Sequence, residues 1–110
     1  MAYDVDLADR LRVATQDEPA LSERKMFGGV SFLASGNLAV CASSDGDLMV
    51  RVDPDEIDRL IEQSGVARME MGARLMKGWV RVDLEAVATD ASLQDWVDRG
   101  LGYARSLPAK

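Results

Sequence analysis

Apolar positions recur at three- to four-residue spacing near the N-terminus, where Val5, Leu7, Ala8 and Leu11 form one stripe. That period predicts a helix over residues 4–16, with Asp4 placed to cap it and Pro19 just past its end. The pattern then becomes strand-like. Lys25 to Leu33 reads as one strand interrupted by Gly28-Gly29, followed by strands over Leu38–Ser43 and Leu48–Val52. Ser35-Gly36-Asn37 and Ser44-Asp45-Gly46-Asp47 carry the small and polar residues that tight turns need. Asp53-Pro54-Asp55-Glu56 has the layout of a helix start: a capping Asp, Pro in the first turn, and Glu56 reaching back as a capping box. The helix it opens carries Ile57, Leu60 and Ile61 and stops at Gly65. Val66–Met71 reads as a short strand broken by Gly72, and Leu75–Leu84 as a further strand. Thr89 or Asp90 starts a last helix whose buried stripe is Leu93, Trp96, Val97, Leu101 and Ala104, with Pro108 beyond it.

This order predicts an α+β domain. Its mainly antiparallel sheet has about five strands, starts with a three-stranded meander, and is flanked by N-terminal, middle and C-terminal helices. Residues 1–110 read as a single domain without linker or repeat. Strand alternation assigns the faces. Leu48, Val50 and Val52, with Val80, Val82 and Leu84, should meet the helices; Met49, Arg51, Trp79 and Arg81 then point the other way. Trp, Met and Arg are enriched at protein interfaces, so these four form a candidate interaction face.

Composition narrows the chemistry. There is no histidine, which removes Ser-His-Asp and Cys-His catalysis and the usual zinc sites. One cysteine, Cys41, excludes an internal disulfide; mid-strand, it reads as a small buried hydrophobe. Gly28-Gly29 lacks the spacing and the Lys-Ser/Thr pair of a phosphate loop and reads as a bulge, bend or close backbone approach. Asp45-Gly46-Asp47 lacks the later ligands of a calcium loop, and Asp53, Asp55 and Glu56 are explained by helix capping. Met69, Met71 and Met76 read as core filler. No cofactor, metal or catalytic residue is expected.

Net charge is −6, with acids concentrated in residues 1–23 and 44–63. The sign reverses locally at Arg68, Arg74 and Lys77, near Arg81, with Arg24, Lys25 and Arg51 as outlying members. This basic patch fits a solvated face, a dock for an acidic protein, or a nucleic-acid contact. Overall charge argues against nucleic acid. The acidic start lacks a signal-peptide layout, and no run reaches the roughly 18 apolar residues of a membrane helix, so a cytoplasmic address without membrane contact is expected.

Several blocks taken together carry a resemblance. Arg24-Lys25-Met26-Phe27-Gly28-Gly29, Gly36-Asn37-Leu38-Ala39, Leu48-Met49-Val50-Arg51-Val52-Asp53, Met76 with Trp79 and Val82, and Leu93 with Trp96-Val97 resemble the N-terminal domain of the TfoX/Sxy competence-regulator family. The resemblance implies an antiparallel sheet flanked by helices, in a bacterial cytoplasmic protein associated with regulation of DNA uptake. It implies a structural role for the motif Lys25, Met26, Phe27, Gly28 and Gly29, and it brings no catalytic residue. The full regulators carry a second, helical C-terminal domain; ending at Lys110, this chain is expected to be a single-domain form. The functional expectation is a non-enzymatic regulatory or adaptor domain that binds protein, with the Met49–Arg81 face available for homodimerisation. The alternatives are nucleic-acid binding through the basic patch and, behind it, a small-molecule or enzymatic domain.

Overall fold

The structure, a computed structural model, describes residues 3–26, 28–71 and 74–109, with side chains described outside 71–76. Phe27 and Gly72 and the side chains of Met71, Arg74 and Met76 lie outside the described residues.

Asp4 opens the first helix as the sequence predicts. Its Oδ1 accepts a hydrogen bond from the Leu7 amide at 2.8 Å, and α1 runs Val5–Ala14. Leu7, Ala8 and Leu11 are buried, but Val5 is 62% exposed. At 3.6 residues per turn Val5 sits about 110° round the helix from the centre of that stripe.

The expected single strand around Gly28-Gly29 is two strands. β1 (Leu21–Met26) and β2 (Gly29–Ala34) are antiparallel, with Met26 opposite Gly29, so the chain reverses across two residues. Gly28 has φ +79°, which an L side chain rarely adopts, and that favours the reversal. β3 (Asn37–Ala42) follows through Ser35 and Gly36, both at positive φ, the signature of a tight hairpin turn. β4 (Leu48–Arg51) follows the turn at Gly46. Splitting the first strand raises the sheet to six strands, in the order β1-β2-β3-β4-β6-β5.

Asp53 caps as predicted, accepting from the Asp55 amide at 2.9 Å. Glu56 does not complete a capping box; its carboxylate accepts from Arg59 and Arg99. The segment is a 3-10 turn, Pro54–Glu56, followed by one helical turn, α2 (Ile57–Leu60). β5 (Val66–Met71) and β6 (Arg74–Val82) form a further antiparallel pair. Leu84, expected to continue β6 toward the helices, lies in a 3-10 turn and is 39% exposed, and Val87 of that turn is buried instead. Thr89 caps α3 (Asp90–Ser106), whose buried side is Leu93, Trp96, Val97, Leu101 and Ala104, as the spacing predicts.

Register puts two apolar rows under the helices. Val30, Ala42, Leu48, Val82 and Val66 pair in one; Phe32, Val40, Val50 and Val80 in the next. All nine are buried in one core with Leu11, Trp96, Val97 and Leu101. Fully burying a Val, Leu or Phe contributes about 1.5–3 kcal/mol, so this layer dominates the stability. Gly100 lets α3 lie directly on β3: a Cβ there would stand 2.7 Å from the Ala39 carbonyl oxygen.

Candidate interaction face

The face away from the helices is built by the intervening residues. Arg24, Ser31, Cys41, Met49, Arg81 and Ala67 pair in one row across all six strands. Arg51 pairs directly with Trp79 alongside it. The four predicted residues therefore form two adjacent cross-strand pairs, Met49–Arg81 and Arg51–Trp79. Met49, Arg51 and Arg81 are half-buried and Trp79 is 9% exposed. Ser31, Leu33, Cys41 and Met69 are also buried, so the open part of this side is narrower than alternation suggests.

Its charges are fixed. Asp47, in the β3–β4 turn, accepts from Arg81 Nη2 at 2.7 Å and from Nε at 3.1 Å. Ser43 Oγ donates to the other oxygen of Asp47 and accepts from the Asp45 amide, each at 3.1 Å, which locks the turn. The hydrogen bond from Arg81 to Asp47 holds the guanidinium firmly protonated. Arg51 reaches the other way, donating to the Leu38 carbonyl at 3.5 Å, with its guanidinium carbon 5.9 Å from the centroid of the Tyr103 ring on α3. Beside Met49, Ser31 Oγ donates to Cys41 Sγ at 3.3 Å. Burial pushes the Cys41 thiol up, against the opposing pull of that hydrogen bond.

Of the predicted basic patch, the Arg74 side chain lies outside the described residues, and Arg68 is separated from the neighbouring cations. Arg68 pairs with Val80 in register and so lies on the helix side, where Asp58 of α2 binds it, while Arg81 lies on the other side. Lys77 is exposed. Arg24 and Lys25 sit on β1, at the opposite edge from β5, about 24 Å away at ordinary strand spacing. Among the described residues, no group of three or more His, Cys, Asp or Glu could hold a metal ion.

The motif glycines act on the backbone. A Cβ at Gly29 would stand 2.3 Å from the Ala42 carbonyl oxygen, so β2 passes β3 too closely for any side chain there. Lys25 and Met26 precede the turn on β1. The TfoX N-terminal domain model matches residues 14–104, from the end of α1 through most of α3. The chain belongs to this family. No curated protein and no solved structure matches it.

Within the TfoX N-terminal domain fold, two ties escape sequence reasoning. Arg10 donates to the Val87 carbonyl at 2.7 Å, fastening α1 to the entry of α3. Arg105 binds both oxygens of Glu18, whose side chain is 6% exposed, beside a groove of about 470 Å³ between the C-terminal end of α1 and the length of α3. Each tie joins residues more than 75 positions apart, beyond any local pattern. Among the described residues no helix is long and apolar enough to cross a membrane.

Proposed function

We propose that this TfoX N-terminal domain is a non-enzymatic, competence-regulator-like adaptor in the bacterial cytoplasm. It binds a protein partner through the sheet face opposite its helices. The observation that carries this reading is the half-buried cross-strand pair Met49 and Arg81, in the row that crosses the sheet on the side away from the helices. Met49 supplies an adaptable apolar contact, and Arg81, held by Asp47, a fixed cation beside it. Membership of a family of regulatory-type domains supports a binding role. A mixed-charge partner fits a face on which Arg81 is paired with Asp47.

The test compares the parent with Met49→Asp and Arg81→Glu in affinity capture from the native bacterium, with thermal unfolding measured on each chain. Loss of one specific partner in both variants, with Met49→Asp keeping its unfolding temperature, supports the face. Equal capture by parent and variants rules it out.

A further inference from the structure

We infer that the outer edge of β1 pairs antiparallel with the same edge of a second copy, about a two-fold axis through Arg24. β1 ends the sheet, and Ser22 to Lys25 are exposed. Its hydrogen-bonding phase is fixed by the turn. Met26 faces Gly29 across two residues, and the Ser35 amide donates to the Ala20 carbonyl at 3.1 Å. Residues 20, 22, 24 and 26 therefore bond to β2, and the amides and carbonyls of Leu21, Glu23 and Lys25 point outward as an unused ladder.

The charges select the occupant and the register. A two-fold axis normal to the sheet keeps like faces together, so the pairing must be centred on a residue. Centring on Glu23, Arg24 or Lys25 sets that one charge against its own copy in every case, and the registers centred on Glu23 or Lys25 add no opposite-charge pair to offset it. Centring on Arg24 sets Glu23 opposite the partner's Lys25 twice over, both on the helix side. The sign alternation then continues inward: Glu23 is bound by Arg12 at 2.9 Å through both oxygens, and Arg12 by Asp9. Opposite charges directly across a ladder stabilise it, which favours this register over those centred on Glu23 or Lys25. The two Arg24 side chains oppose each other on the far face, and a seam this short buries less than a standard interface of roughly 1,200 Å² or more. The dimer is therefore weak and reversible. It leaves Met49 and Arg81 uncovered and presents them twice on one continuous sheet, with Arg24 alone shared by the two surfaces.

The test is sedimentation velocity on the full chain across a concentration series. Reversible dimerisation is expected. Lys25→Pro removes an outward amide, which an edge strand tolerates, together with the ammonium facing Glu23, and should weaken association by about tenfold or more while the far-UV spectrum stays unchanged. In a Cys41→Ala background, Arg24→Cys should give a disulfide-linked dimer on mild oxidation. Ser22→Cys should not, because its copy lies about 14 Å along the seam. A monomer at every concentration overturns the inference. So does equal crosslinking at both positions, or a dimer dispersed by Met49→Asp and untouched by Lys25→Pro, which would put the contact on the sheet face.

Discussion

Gly29 has no room for a methyl group, because the Ala42 carbonyl oxygen already occupies the place of its Cβ. Relief would require the start of β2 to pull away from the end of β3. Gly29→Ala should cost about 3 kcal/mol or more, at the top of the usual overpacking range. Gly46 is the control. Unlike Gly29 it has positive φ, at +96°, and nothing lies within 4 Å of a Cβ there, so Gly46→Ala carries only backbone strain, about 1 kcal/mol. Chemical denaturation of the two variants should rank them in that order, and equal losses would refute the close approach. The glycine pair was legible in the sequence as a place where backbone passes close. That the chain reverses there was not, because the residues on either side suit one long strand as well as two. Cys41 illustrates the same scale. Its burial and raised thiol predict slow reaction with a thiol reagent in the native protein, and at least a hundredfold faster reaction after unfolding. Fast native reaction would mean that this part of the face opens readily.

Among the elements, the packing of α1 on β1 is tuned by one ion pair. The hydrogen bond from Arg12 holds the Glu23 carboxyl below the usual carboxylate range, outweighing the effect of partial burial. A depressed folded pKa adds stability that is present above the unfolded value of about 4.3 and is lost as pH falls through the folded one. Glu23→Gln should therefore lower the unfolding temperature slightly at pH 7, with the difference closing below about pH 4. A gap that persists in acid would assign the effect to packing. The pair is half-exposed, so the shift should be small and should shrink in salt. At the far end of the sheet, Thr89→Ala removes the cap on the Ser92 amide and should cost about 1 kcal/mol. Helix starts such as Asp4, Asp53 and Thr89 were readable because a cap and the amide it serves lie within three residues. The fate of Glu56 was not, since Arg99 reaches it from α3, 43 residues away. Leu84 failed for a related reason: two-residue alternation holds only while the strand lasts, and the chain turns after Val82.

For the whole molecule, the decisive property is how charge is divided between its surfaces. Net charge is −6, and Arg68 and Arg81, close in sequence, are parted by the fold. Arg68 lies on the helix side against Asp58; Arg81 lies on the other side against Asp47; Arg24 and Lys25 stand at the opposite edge. Binding a phosphate backbone needs several cations on one track, each releasing counterions as it neutralises a phosphate. No such track joins the described cations, and the acidic remainder of the surface repels a polyanion. A titration with duplex DNA and with single-stranded RNA at about 50 mM salt, where this electrostatic attraction is strong, should show no saturable binding. Binding that weakens steeply as salt rises would instead show that the scattered cations act together. Arg24→Glu and Arg81→Glu would then reveal which face carries the contact, since those two residues share a row and Arg68 does not.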